Sequence, residues 1–458
     1  MSSPTNLHGR EFARQATRPG PAARATNVRF AVLWVTTLTS FIMYLDRICV
    51  AEVVKQDSFQ HELALDSKQV GWILGSFFFA YALSQVPAGW LSDRFGARTM
   101  MTAYVAAWSL LTGLTGLAGG FWGLLLARLG CGIAQAGAYP TSGGLLSRWI
   151  PFPWRGMANS IVAFGGRIGL AGASWMTVMA VKTLGGWREA LWLYQAIGIG
   201  IALWFWWVFR ERPENHPRSN AAECELIERS LPPTVRAGRV AATGIPLRAI
   251  VASPSLWCMS LVMFCTNVGW AFLATWLPTY FKNVMGLSPE DAAQRSFLAL
   301  LGGMAGLLVG GWVTDLATRR WGLRWGRSGP LVICRLVGVA AYLSCLKFDS
   351  PAAVTVSFFI VAFSTDMGIG GTWAYAQDVG GRHVGSILGW ANMWGNLGAA
   401  LVAVVLPWVV DMEHATDWDE AFLLCAAAFL LASLAALGIN ATLPIVRRDE
   451  LPREVQPA

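Results

Sequence analysis

Apolar residues fall in long blocks separated by short polar connections. Twelve blocks can cross a bilayer as helices, which takes about 20 residues each. They cover residues 30–53, 69–92, 99–119, 121–147, 157–181, 189–209, 255–281, 292–314, 329–347, 351–378, 385–411 and 418–444. The third and fourth meet at Gly119-Gly120-Phe121, which predicts a tight hairpin. One connection is long and polar: residues 210–254, with Pro213, Pro217, Pro232 and Pro233 and a short acidic helix expected at Ala221–Ser230. The expected organisation is a tail at 1–28, a six-helix bundle at 29–209, a central loop at 210–254, a second six-helix bundle at 255–444 and a tail at 445–458. The fold class is an all-α membrane protein of twelve transmembrane helices in two pseudo-symmetric bundles.

Composition agrees with the pattern. Hydrophobic residues make up 55% of the 458, charged residues only 14%, and the mean hydropathy is +0.46. Soluble domains carry about 25% charged residues. The net charge of +8 therefore points to loop placement, with no nucleic acid implied. Arginines crowd one set of connections: Arg94 and Arg98, Arg148 and Arg155, Arg210 to Arg248, Arg319 to Arg327, and Arg382. The terminal tails, with Arg10, Arg14, Arg18, Arg24, Arg447, Arg448 and Arg453, belong to that set. The other set holds only Lys55, Lys68, Lys182, Arg188, Lys282, Arg295 and Lys347. The positive-inside rule then puts both termini in the cytoplasm of a cell inner or plasma membrane. The N-terminal tail lacks an apolar core and reads as a disordered basic segment, not a signal peptide. Eight cysteines lie mostly inside apolar blocks without metal-ligand spacing. They read as packing residues, and no metal or other cofactor is expected. No nucleotide loop or nucleophile–base arrangement is present, so an enzyme is not expected. His8, His61, His216, His383 and His414 fall in tails and connections.

The halves echo each other. GWLSDRFGAR (Gly89–Arg98) leaves the second span and GWVTDLATRR (Gly311–Arg320) leaves the eighth, each with Gly four residues before Asp. Gly156–Gly169 likewise aligns with Gly385–Gly398, setting Arg167 opposite Asn396. Repeated halves imply alternating access around a midplane site.

Charges inside spans mark candidates for that site, since one at the bilayer centre costs about 2.5–3.5 kcal/mol on insertion scales. Asp46 and Arg47 sit together in the first span, either as a functional site or as an ion pair near the helix end. Arg128 lies in the fourth. Arg167, flanked by Gly165, Gly166 and Gly169, either binds a second carboxylate of a substrate or partners Asp46. Asp366 in the tenth span is either a titrating carboxylate or an N-cap or hydrogen-bonded kink residue beside Gly368, Gly370 and Gly371. Trp373 follows seven residues later on the same face. Counting Arg47, Arg128 and Arg167 against Asp46 and Asp366 leaves one surplus guanidinium, which suits an anion. Arg335 is left out of that count because it lies near the end of its span.

GWLSDRFGAR resembles the signature between helices two and three of the major facilitator superfamily. A narrower resemblance, to its anion:cation symporter branch, rests on Tyr44-Leu45-Asp46-Arg47, FFFAYALSQVPAGWLSDRFG in span two, RPENHP after span six, TWLPTYF in span seven and GNLGA in span eleven. The branch includes carriers of sugar acids, aromatic acids, glutamate and sialic acid. The resemblance implies that Asp93, with Arg94 and Arg98, and its echo Asp315 latch the cytoplasmic side. It also implies that Tyr44, Arg47 and Tyr81 contact a sugar acid from the first half, and Trp373 and Asn392 from the second, with Asn396 nearby. The branch has a protonatable Glu seven residues after the Arg of helix four. Here Gln135 stands there, seven residues after Arg128, and an amide cannot carry the proton. Either fewer protons couple, or Asp366 substitutes.

The expected function is proton-coupled symport of an organic anion, a sugar acid such as a hexonate, hexarate or hexuronate, by a monomer in the bilayer. Asp46 would bind the proton, Arg128 would sense its state and Arg47 would hold the carboxylate. The alternatives are an uncoupled or exchanging anion carrier and a non-transporting sensor.

Overall fold

A computed structural model describes residues 24–54, 56, 59, 62–232, 247–409 and 418–445. Most of both tails lies outside the described residues, as do Lys55, His61, Arg236, Arg239 and His414. The described residues form helices, turns and connections, with no strand among them.

The first half contains α1 (Val28–Val54), α2 (Ser67–Phe95), α3 (Ala97–Thr115), α4 (Phe121–Ala136), α5 (Ala138–Trp149), α6 (Arg155–Leu184) and α7 (Trp187–Val208). Two short helices follow, α8 (Ala221–Arg229) and α9 (Leu247–Val251). The second half contains α10 (Pro254–Thr275), α11 (Leu277–Asn283), α12 (Pro289–Cys345), α13 (Pro351–Met367), α14 (Ile369–Val379), α15 (Val384–Val409) and α16 (Trp418–Leu437). Ten stretches have the length and composition to cross a membrane. The longest, α12, breaks at Gly322 (φ 75°) into the eighth and ninth spans, and the 19-residue α3 completes twelve. The left-handed φ at Gly322 is open to glycine at no steric cost.

Local chemistry sets the ends. Asp66 and Gln69 form a reciprocal capping box at the start of α2. Ser253 and Ser288 cap α10 and α12, each followed by proline at the first helical position. Span four divides at Gly137 and span ten at Gly368. Pro140 contributes to the first break because it has no N–H for the Ala136 carbonyl. Spans four and ten hold equivalent places in the two halves, and paired interruptions of this kind point to a transporter's binding site.

Three expectations from the pattern are corrected. The connection expected between spans eight and nine is helical except at Gly322. The twelfth span ends at Leu437, not 444, and Asn440 instead donates its N–H to Ser255 Oγ at 2.8 Å. The expected charge count omitted Arg335, whose side chain is buried and donates to the Ser364 and Thr365 carbonyls at the end of α13.

Within each half the packing repeats: α6 lies on α1, and α15 lies on α10. Between halves α15 packs on α2, and α6 packs on α12. The repeated glycines explain these crossings. A Cβ on Gly385 would stand 2.6 Å from the Gly89 carbonyl oxygen, and one on Gly311 would stand 2.8 Å from Met157 Cα. Only glycine lets the backbones approach so closely. The outer surface carries large apolar side chains such as Trp34, Trp72, Trp122 and Trp175, as a lipid-facing surface requires. All eight cysteines are free thiols.

Candidate functional site

The breaks in spans four and ten bring their side chains together between the halves. Tyr139 of α5 meets Trp373 of α14 with ring centroids 4.5 Å apart. Tyr139 also shares a 3.1 Å hydrogen bond with Ser40 of α1, and its ring lies 6.4 Å from that of Tyr44. Arg47 sits among aromatic faces, its guanidinium 4.8 Å from the Tyr44 centroid, 4.5 Å from Tyr81 and 5.2 Å from Phe77. Its Nε donates to Gln135 Oε1 at 3.2 Å, and its buried Nη2 has no hydrogen-bond partner. The always-charged fork is thus held by ring faces and one neutral amide. Among the described residues, no carboxylate pairs with Arg47.

Asp46 faces elsewhere. Successive residues project about 100° apart around a helix, and the Asp46 carboxylate is buried toward α3 and α7. The Trp108 indole faces it, and a Cβ on Gly198 would stand 3.8 Å from Oδ2. Neither oxygen has a hydrogen bond of good geometry. The arginine partner expected for Asp46 is therefore corrected: no ion pair reaches it among the described residues. Arg128 stacks its guanidinium on Phe77 at 4.6 Å, facing the thiols of Cys49 and Cys131, and is not paired to Asp46.

Arg167 does not pair with Asp46, one of the two partners expected for it. Arg167 makes a two-pronged bond to Asp366 across the halves, Nε to Oδ2 at 2.8 Å and Nη2 to Oδ1 at 2.6 Å. Trp270 lies over the guanidinium at 5.1 Å. Asp366 is no N-cap; it is a hydrogen-bonded residue beside the break at Gly368, and its side chain spans the interface. Asn392 also reaches across, donating to Gln85 Oε1 at 2.7 Å, while Asn396 donates to the Asn392 carbonyl.

Toward the arginine-rich face the halves are bolted together. Asp93 accepts from Gly385 N (2.9 Å), Ser386 N (2.7 Å) and Ser386 Oγ (2.7 Å) at the start of α15. Asp315 accepts from Gly156 N and Met157 N, both at 2.9 Å, at the start of α6. Each carboxylate thus satisfies orphan donors at the positive end of a helix in the other half. Arg94 and Arg98 do not join them. Arg94 stacks on Trp90 and Phe95, and Arg98 donates twice to the Trp206 carbonyl.

Pattern alone missed several groups here. Asp378 is buried between Arg155 Nη1 (2.9 Å) and Arg327 Nε (2.7 Å), one from each half. Gln377 and Asn159 exchange hydrogen bonds of 3.0 and 3.1 Å beside it. Tyr139 and Gln85 were also missed, although each lies four residues after a candidate, Gln135 and Tyr81, and so on its helical face.

Two bundles of six membrane-crossing helices, closed on each other at one face around a buried polar site, define a multi-pass transporter. The sequence matches the model of the Major Facilitator Superfamily over residues 36–403, and the chain belongs to that family. It is 28% identical to a probable sulfoacetate transporter of Cupriavidus necator over 94% of this chain and 98% of the relative. It is 26% identical to a probable galactarate/D-glucarate transporter of Bacillus subtilis, over 95% and 98% respectively. The fold matches that of a proton:xylose symporter of the superfamily with TM-score 0.69 and 16% identity, over 89% of this chain and 94% of that one. The protein is a non-enzymatic transporter related to carriers of sugar acids and other anions.

Proposed function

We propose that the protein is a proton-coupled symporter of an organic anion, with a sugar acid as the leading substrate class. The unpaired Arg47 fork carries this reading. It sits in the first half, walled by Tyr44, Tyr81 and Phe77 and near Tyr139, which meets Trp373 of the second half, with Nη2 unpartnered and buried. A substrate carboxylate would bond to the fork. Gln85, Asn392 and Asn396 supply amides for hydroxyls from both halves, and Trp373 and Tyr139 supply apolar walls. Asp46 is the proton site in this reading, a carboxylate with no cation to hold it ionised. Arg128 faces Cys49, three residues after Asp46, and in this reading senses that charge at a distance rather than by direct pairing. Relatives named for galactarate, D-glucarate and sulfoacetate support an anionic substrate.

The same proposal takes residues 29–209 and 255–444 as the moving halves, 210–254 as their tether, and the arginine-rich face as cytoplasmic, with the tails at 1–28 and 445–458 on that side. Asp93 and Asp315 are then the cytoplasmic latches, and a monomer is sufficient. Gln135 favours a second reading, an uncoupled or exchanging anion carrier, because an amide replaces a titrating group beside Arg47. A thermal-shift screen of purified protein tests the substrate class. Ligand raises apparent stability by mass action, so galactarate, galactonate or sulfoacetate should raise Tm while neutral sugars and amino acids do not. Stabilisation by neutral sugars alone would overturn the anion reading.

A further inference from the structure

Among the buried ion pairs that join the halves, one is built differently. Asp378 with Arg155 and Arg327 is sealed, with side chains at 0–1% exposure. The Arg167–Asp366 pair is open on one side, with Arg167 at 15% and Asp366 at 5%. It lies at the break of span ten, beside the groups that surround Arg47. Tyr44 and Tyr139 both face Arg167, and a Cβ on the preceding Gly166 would stand 2.7 Å from the Tyr139 hydroxyl and 2.8 Å from the Tyr44 ring. Tyr44 therefore borders both guanidiniums, one free and one occupied.

We infer that Arg167 and Asp366 form an exchangeable second anion subsite, in which Asp366 holds the Arg167 fork until a substrate with an acidic group at each end replaces it. The inference rests on the reading of Arg47 as the first carboxylate site. The geometry of the pair supports exchange. Two parallel N–H···O bonds of 2.6 and 2.8 Å are what any carboxylate or sulfonate would make with the same fork. Asp366 is a tethered copy of that group. A monoacid occupies Arg47 and leaves the pair closed. A diacid reaches Arg167 with its far end, so the fork exchanges one anion for another and keeps its two bonds. Because the pair crosses the halves, exchange also releases a bond that resists their separation.

Two acids of one chain length test this: galactarate, with two carboxylates, and galactonate, with one. The readout is the ratio of their dissociation constants, measured by titration calorimetry on the full chain. Asp366→Asn removes the competing anion and should shift the ratio about tenfold toward galactarate. Arg167→Gln combined with Asp366→Asn removes the fork without leaving a lone charge, and should shift the ratio the other way, below the wild-type value. An unchanged ratio in the double variant overturns the inference, even if the single variant fails to fold. Binding of neither acid by wild type defeats the Arg47 reading and the inference together. Binding of both, with a ratio that neither variant moves, defeats the inference alone.

Discussion

The two aspartate latches should govern how often the arginine-rich face opens, and their geometry sets the scale. Asp93 accepts three bonds at 2.7–2.9 Å, two from the first turn of α15 and one from the Ser386 hydroxyl. Hydrogen bonds to charged groups contribute about 1.5–3 kcal/mol each, but water replaces part of that when the face opens. A net cost near 3 kcal/mol for Asp93→Ala is a reasonable central value, and at 1.36 kcal/mol per decade it raises the open population about a hundredfold. Asp93→Asn keeps one carbonyl oxygen and loses the charge, so about tenfold is expected. Asp315 makes only two such bonds, both at 2.9 Å, and Asp315→Ala should give roughly two-thirds of the free energy, about thirtyfold. Val384, 3% exposed and packed against Gly143 across the interface, is a suitable reporter as Val384→Cys. Maleimide labelling of that position, quantified by peptide mass spectrometry, follows the open fraction. Labelling that is unchanged in Asp93→Ala, or larger for Asp315→Ala than for Asp93→Ala, would refute the assignment of the latch energy to these bonds.

Three further outcomes follow from the site. Asp46→Asn should abolish uphill, proton-driven accumulation while leaving ligand binding measurable by calorimetry; unchanged accumulation would remove Asp46 from the coupling. Arg47→Lys replaces a two-pronged fork by a point charge and should weaken anion binding at least tenfold, about 1.4 kcal/mol; wild-type affinity would move the carboxylate to Arg128 or Arg167. His383 lies in the turn before α15, where burial first and then neighbouring Arg382 hold its pKa below the ordinary 6.5. The folded protein thus binds fewer protons there than the unfolded chain, so this contribution to stability is intact above about pH 6.5 and declines as pH falls below it. His383→Phe should flatten that part of the Tm-against-pH curve, and an unaltered slope would place the effect elsewhere.

Much of the architecture was legible because it is written locally. A bilayer demands long apolar blocks, and twelve of them read directly. The Gly-to-Asp spacing of Gly89/Asp93 and Gly311/Asp315 was visible as a repeat, and it turns out to be a pair of helix crossings, each with a carboxylate at the end of the facing helix. The short acidic helix expected at Ala221–Ser230 was also legible, and it runs Ala221–Arg229 behind an Asn220 cap. Its purpose was not: Glu223 is buried against the start of α1, accepting from Arg29 N at 3.1 Å and Arg29 Nη1 at 2.9 Å. Pairing of distant charges leaves no local trace. Asp46 precedes Arg47 in the chain, yet the helix turns the two side chains to different faces. Arg167 and Asp366 are 199 residues apart, and nothing in either segment names the other. Asp378, Arg155 and Arg327 stand near span ends, where basic residues are expected for orientation alone, so their burial as a triad was hidden. Gln135 was recognised as a departure, and its bond to Arg47 gives it a structural role that any carboxylate there would have filled with a full charge.

Proton coupling to the movement of an organic anion is open to one direct test. Purified protein reconstituted in liposomes, given an inward proton gradient and radiolabelled galactarate, measures it directly. Proton-coupled symport should give accumulation above the external concentration that collapses when a protonophore is added. Uptake that only equilibrates, with or without the gradient, would contradict proton coupling and favour the exchanging carrier; binding without any uptake would contradict transport itself.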